Sequence, residues 1–270
     1  MSKIVLEIQN LKIKFEFNEQ IVEAVKNSSF EIHKGECLAI VGESGSGKSV
    51  TALTIMKLIK SNSQLKIEGK IKYGDKNLLN QKEKDLQKIR GKKISMIFQE
   101  PMTSLNPLHT IEKQIKECFQ NNKNSGTKKC IELLTEVGID NPKQRLNQYP
   151  HQLSGGQRQR IMIAMAISNN PDLLIADEPT TALDVTIQKQ ILELLDKLRK
   201  KFKMSLLLIT HDLGIVKEIS DRVCVMEDGN IVEENNTRNI FSNPKHPYTK
   251  KLIDSKPNEK SITPNNNEKI

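Results

Sequence analysis

The sequence predicts an α/β fold: a parallel-sheet core with an N-terminal antiparallel β subdomain in front of it and a helical subdomain inserted in it. Three observations carry this. Short apolar runs (Cys37–Val41, Leu173–Ala176, Ser205–Ile209) alternate with amphipathic stretches, as buried parallel strands joined by crossover helices do. Residues 3–34 instead alternate apolar and polar positions, the pattern of antiparallel strands with one wet face. Residues 101–152 are mostly helical in spacing and punctuated by Pro and Asn.

In chain order, Ile4, Leu6 and Ile8, then Leu11, Ile13, Phe15 and Phe17, mark the alternating strands, and Lys34-Gly35-Glu36 is a turn. Cys37–Val41 reads as a buried strand that runs into a Gly-rich loop. A helix follows, with Ala52, Leu53, Ile55, Met56 and Ile59 mostly on one face. Lys93 to Phe98 reads as a strand ending at Gln99. Ile111, Ile115 and Phe119, then Ile131, Leu133, Leu134 and Val137, place helices in an insert spanning about 101–160, whose last helix starts at 157 and continues to 169. Leu173–Ala176 is a strand, Ile187, Ile191, Leu194, Leu195 and Leu198 share a helix, and Ser205–Ile209 is the next strand. Val223–Met226 and Ile231–Val232 flank Asp228-Gly229, a hairpin signal. One domain is expected over 1–255; the polar tail 256–270, with Asn265–Asn267, is expected to be disordered.

A chain of 270 residues allows one large domain or two smaller ones. No apolar stretch follows Met1, and runs such as Leu206–Ile209 fall far short of the ~18 residues of a spanning helix, so a soluble or peripheral protein is expected. The net charge of +9 suits nucleic acid or anionic lipid in principle. No basic cluster is interleaved with aromatics, however, so the charge reads as solvated lysine-rich faces and no nucleic-acid partner is expected. Cys37, Cys118, Cys130 and Cys224 form no CxxC pair and read as buried or incidental thiols in a reducing compartment.

Gly42-Glu43-Ser44-Gly45-Ser46-Gly47-Lys48-Ser49 fits the P-loop pattern GxxxxGK[ST]. Its glycines let backbone N–H groups wrap phosphate oxygens, helped by the positive end of the next helix. Lys48 would reach the β- and γ-phosphates and Ser49 would ligate Mg²⁺. A plain Gly-rich turn is the bland alternative; the position between a buried strand and an amphipathic helix favours the P-loop. Asp177-Glu178 ends the strand at 173–176, where carboxylates face a nucleotide crevice. Alone, this pair would be an acidic turn before Pro179. Beside a P-loop, Asp177 would hold Mg²⁺ through water and Glu178 would polarise the attacking water. His211 lies two residues past a strand and is a candidate to contact the γ-phosphate; Gln99, at another strand end, could sense the metal or the water. Ser154 can cap a helix, and Gly155 and Gly156 leave N–H groups open to an anion. Nothing in that loop says whose nucleotide it would touch.

Together these motifs resemble an ATP-binding cassette (ABC) ATPase over residues 3–255: the P-loop, Gln99, Leu153-Ser154-Gly155-Gly156-Gln157, Ile175–Pro179, Ala182-Leu183-Asp184 and His211, in that order. The resemblance implies a P-loop NTPase (RecA-like) core that uses ATP and Mg²⁺. It makes Gln99 the Q-loop glutamine, Asp184 the D-loop aspartate and His211 the switch histidine. Glu178, His211 and Gln99 are the implied catalytic set, and Ser49, Gln99 and Asp177 the metal set. Phe15, with Phe17 as rival, would stack on adenine. Gly42, Ser44 to Ser49 and Val50 would line the nucleotide: Ser44, Gly45, Ser46, Gly47, Lys48 and Ser49. Ser154, Gly155, Gly156, Gln157 and Asp184 complete that set, with Ser154, Gly155 and Gly156 on the γ-phosphate of a second subunit.

A narrower resemblance is to the ATPase subunits of bacterial peptide and nickel importers. It is carried by Gly47–Ala52, Gln99–Pro107, Thr180–Thr186 and Asn243–Thr249. It implies a second, paralogous ATPase subunit, two membrane permeases, an extracytoplasmic solute-binding protein and a place on the cytoplasmic face of the inner membrane. Many such relatives carry a C-terminal segment with cysteines. This chain has none after Cys224, so no iron–sulfur role is expected. The alternatives are a nickel importer, or a soluble ABC ATPase acting on nucleic acid or the ribosome. The charge favours the latter mildly, but no long coiled-coil insertion or second cassette accompanies it.

Overall fold

The computed structural model describes residues 3–17, 20–59, 64–99, 104–119, 126–181 and 183–255. The expected tail, 256–270, and the side chain of Phe17 lie outside the described residues. One ten-stranded sheet runs through the molecule in the order β5-β4-β1-β2-β10-β9-β3-β8-β7-β6. Its strands are β1 (Ile4–Phe17), β2 (Gln20–His33), β3 (Cys37–Val41), β4 (Leu65–Tyr73), β5 (Lys76–Asn77), β6 (Ile94–Ile97), β7 (Leu173–Asp177), β8 (Ser205–Ile209), β9 (Arg222–Glu227) and β10 (Asn230–Asn236).

β3, β6, β7 and β8 are mutually parallel, and β9 runs parallel to β3. Every residue of β3, β7 and β8 is buried, which is why these strands read as unbroken apolar runs. Their side chains divide with period two. Leu174 and Ala176 join Leu206 and Leu208 in one cluster with the helical insert; Leu173 and Ile175 join Leu207 and Ile209 in a second with β1 and β2. β1, β2, β4 and β5 are antiparallel. This half is not a separate sheet: Asn27 of β2 pairs with Asn230 of β10 and joins it to the core.

The insert packs through the helix Gly155–Ile167. Ile111, Ile115, Cys130 and Leu134 of the helices Ile111–Cys118 and Thr127–Glu136 share a cluster with its Ile161 and Ile163 and with Leu174. Two boundaries differ from expectation. The helix after the Gly-rich loop is Lys48–Ile55 and stops short of Ile59, because Lys57 takes a positive φ of 48°. The helix expected at 157–169 is Gly155–Ile167, because Ser154 caps it two residues earlier. The hairpin turn is as its Asp-Gly suggests: Asp228 and Gly229 both have positive φ, 45° and 78°, as a type I′ turn requires.

The outer faces of β3 and β9 are covered by three short helices, Leu213–Ile219, Thr237–Ser242 and Pro247–Asp254. Val216, Ile240 and Tyr248 pack there on Val41 and Val225. Among the described residues no helix is long and apolar enough to cross a membrane.

All four cysteines are free; Cys37, Cys130 and Cys224 are buried and Cys118 is half-buried. Burial, reinforced by the Glu117 carboxylate, pushes the Cys118 thiol up to about 11. A thiol-specific dye at pH 8 should therefore label the folded chain at Cys118 at most, and slowly. All four thiols should react after denaturation.

Candidate active site

Four parallel strands deliver their C-terminal ends to one edge of the sheet, the usual place for a ligand crevice in such folds. β3 ends at Val41 and enters the loop Gly42–Gly47. Gly47, at φ 102°, caps the helix Lys48–Ile55, and a Cβ there would lie 2.4 Å from the carbonyl oxygen of Ala24. The loop is thus pressed against β2. Lys48 is buried; its Nζ donates to the carbonyls of Gly42 at 2.9 Å and Glu43 at 2.8 Å. Burial lowers its pKa from the ordinary lysine value, while Glu178 and Asp177 pull the other way.

Ser49, one residue on, donates its hydroxyl to Asp177 Oδ1 at 2.9 Å, tying the loop to the end of β7. Burial raises the Asp177 pKa and the Ser49 hydrogen bond opposes it. A hydroxyl beside a carboxylate is a hard-oxygen donor set. It fits Mg²⁺, which takes one or two carboxylates and fills its remaining positions with water and substrate phosphates. Among the described residues no group of three or more His, Cys, Asp or Glu could hold a metal by itself.

Glu178 sits where β7 leaves the sheet. Its φ of 46° is left-handed, rare for a glutamate, and its N–H donates to Ile209 of β8 at 2.9 Å. Such outliers concentrate at functional sites. Its Oε2 accepts from Gln99 Nε2 at 3.0 Å and from the Thr181 hydroxyl at 2.9 Å, and its Oε1 lies 3.3 Å from His211 Nδ1. Burial alone would raise its pKa; Thr181 and His211 outweigh that and hold it below the usual carboxylate range. The carboxylate is therefore ionised and an acceptor only. A cavity of about 210 Å³ opens beside it, lined by Thr181, Thr210, His211 and Asp212. Sequence reasoning missed Thr181. Its signal was a hydroxyl three residues past the glutamate, in the turn that the left-handed Glu178 creates. Gln99, read as sensing metal or water, is directed at Glu178.

Ser154–Gln157 lie elsewhere. Ser154 Oγ accepts from the Gln157 N–H at 3.3 Å, and Gln157 Oε1 accepts from the Ser154 N–H at 3.1 Å, a reciprocal capping box. A Cβ on Gly156 would come 3.0 Å from Ile187 Cγ2, so this helix end packs closely on the start of Val185–Phe202. Asp184 caps that second helix, accepting from the Ile187 N–H at 2.9 Å. Among the described residues no hydrogen bond or ion pair joins Ser154–Gln157 to Gly42–Ser49. Phe15 is half-buried and packs, with Val50, on the cluster beneath the antiparallel strands.

A second, apolar cleft of about 360 Å³ lies between the core and the insert, lined by Met56, Phe98, Leu105, Met162 and Met165.

The family described as ABC transporter matches residues 25–181, and the oligopeptide/dipeptide transporter C-terminal region matches residues 232–268. The oligopeptide transport ATP-binding protein AppD of Bacillus subtilis is 53% identical over 93% of this chain and 78% of its own length. The peptidoglycan transport ATP-binding protein YejF of Agrobacterium fabrum is 52% identical over 93% of this chain and 47% of its own length. The chain thus spans about half of YejF and about three quarters of AppD. Among solved structures, the dimeric ATP-binding cassette MJ0796 in a post-hydrolysis state with ADP and Pi superposes with a TM-score of 0.75 at 30% identity, covering 86% of this chain and 99% of that one.

The geometry of the loop predicts unequal costs at its glycines. Gly47→Ala forces a Cβ onto a backbone carbonyl and should lower the unfolding free energy by about 2–4 kcal/mol. Gly45→Ala meets nothing within 4 Å and should cost only the ~1–2 kcal/mol of a left-handed alanine. Denaturant titration of both variants checks the difference.

Proposed function

This chain belongs to the ABC transporter family, and we propose that it is the ATP-hydrolysing subunit of an importer for peptides or a related small solute. The observation that carries the reading is the pairing of Ser49 with Asp177 beside a Glu178 held on three sides. Phosphoryl transfer needs an in-line water and compensated phosphate charge more than covalent help. The N–H groups of the loop and Lys48 take the phosphates of ATP, Lys48 exchanging the carbonyls of Gly42 and Glu43 for phosphate oxygens. Ser49 and Asp177 would hold Mg²⁺, which would supply neutralisation of the phosphate charge. Glu178, ionised, accepts a hydrogen bond from the attacking water and aligns it. Gln99 and Thr181 fix its carboxylate, and His211, largely exposed on the same edge, meets the γ-phosphate.

Ser154, Gly155 and Gly156 serve the nucleotide of a second subunit. Their helix end is capped, exposed and unconnected to the P-loop of its own chain, and MJ0796 is dimeric with ADP and Pi bound. The second subunit is a paralogous ATPase. The match of residues 232–268 to the oligopeptide/dipeptide C-terminal region and the peptide-transport names of the relatives support the cargo class. The apolar cleft beside Phe98, itself 41% exposed, suits a helix of a membrane permease. Two permeases and an extracytoplasmic solute-binding protein complete the assembly, with this chain peripheral on the cytoplasmic face.

Glu178→Gln should leave ATP affinity within about threefold of wild type and lower turnover by about 100-fold or more. Nucleotide titration and phosphate-release assays read the two separately; turnover at the wild-type rate would refute the role of Glu178.

A further inference from the structure

The segment Asn243–Thr249 has no part in the chemistry above, yet it reaches the phosphate loop. Glu233 anchors it: its two carboxylate oxygens accept the backbone N–H groups of Lys245 and His246, each at 2.9 Å. His246 then caps the helix Pro247–Asp254, its Nδ1 accepting from the Tyr248 N–H at 3.3 Å. Tyr248 is 8% exposed, its ring packed with Val41, at the end of the strand that feeds the loop, and with Leu213 and Val216, on the helix after His211. Its Oη accepts the backbone N–H of Glu43 at 2.9 Å, across 205 residues of sequence.

The other end of Glu43 is held as well. Its carbonyl accepts Lys48 Nζ at 2.8 Å and the Ser46 N–H at 3.3 Å. The two kinds of tether differ in permanence. Lys48 must leave the Glu43 carbonyl when it turns to a phosphate, whereas the Tyr248 bond does not involve Lys48 and persists. We propose that Tyr248 is a positioning residue for nucleotide binding: by taking the Glu43 N–H it fixes the entrance of the loop, so that the N–H groups that follow stay aimed at phosphate when Lys48 moves. Tyr248 does not touch the nucleotide. Burial raises its pKa, with Glu43 and Glu227 adding to the rise and the Glu43 N–H opposing it; the phenol stays neutral and accepts through a lone pair. The C-terminal segment thereby becomes part of the nucleotide site, and Tyr248 shares an apolar cluster with the end of the strand that feeds the loop and with the helix that follows His211. This rests on reading Gly42–Ser49 as the nucleotide site.

The test uses the full chain, a fluorescent ATP analogue and steady-state ATP hydrolysis. Tyr248→Phe keeps the ring and removes the acceptor. Leaving that N–H unpaired should raise Kd and KM for ATP by about 5- to 10-fold. Its kcat should stay within about twofold, and its melting temperature without nucleotide should fall by only a few °C. Leu252→Ala thins the same apolar cluster without a polar contact to the loop and should lower the melting temperature at unchanged KM. Wild-type affinity in Tyr248→Phe overturns the proposal, and so does an equal rise of KM in Leu252→Ala, which would make Tyr248 a packing residue. Lys48→Ala tests the underlying reading separately: it should lose ATP binding, and wild-type affinity there would refute the nucleotide site itself, whatever Tyr248 does.

Discussion

Lys48 places an ammonium group where water scarcely reaches: the residue is 5% exposed and sits behind the loop that carries it. A charge so placed persists only among dipoles and opposite charges. Gly42 and Glu43 turn their carbonyls to it, and the carboxylates of Asp177 and Glu178 act on it from the end of β7. That arrangement constrains the rest. β3 must lie inside the sheet, between β8 and β9, for its loop to be walled on both sides. The loop must be tight enough that Gly47 excludes any side chain. β7 must end two strands away, so that Asp177 meets Ser49 while Glu178 turns out of the sheet toward Gln99, Thr181 and His211. In the proposed chemistry this ammonium exchanges those acceptors for phosphate oxygens.

Much of this was legible in the residues, for identifiable reasons. Ser205–Ile209 can be read end to end because both faces of β8 are buried and every position is apolar or small. The edge position of Gln99, Asp177, Glu178 and His211 follows from counting past strand ends. β4 is obscured in the sequence, although Leu65, Ile67, Ile71 and Tyr73 alternate with charged residues, because Gly69 interrupts the alternation. The helix Leu213–Ile219, at 7 residues, covers about two turns and is too short for a period to show. What no pattern discloses is strand order, and convergence depends on it. That Gln99 and His211 meet on Glu178, and that Tyr248 meets Glu43, follows from which strands are neighbours. The left-handed backbone of Glu178 is likewise a property of the β7–β8 pairing, through its bond to Ile209.

The proposed pairing of two subunits rests on the same edge. The P-loop side carries Lys48, the Ser49–Asp177 pair and Glu178, but among the described residues the helix end of Ser154–Gly156 makes no hydrogen bond to it and lies so close to Ile187 that a Cβ on Gly156 would crowd it. Asp184 and the 81%-exposed Val185 lie beside it. In the proposed assembly those residues face the nucleotide of the second subunit.

Association of two subunits around ATP tests that claim most directly. The mass of the full chain carrying Glu178→Gln would be followed by sedimentation with Mg²⁺ and ATP, alone and with a paralogous ATPase subunit. A nucleotide-dependent pair is expected, which Ser154→Arg abolishes while ATP still binds to the P-loop of the single chain. A pair that forms equally well with Ser154→Arg would contradict it.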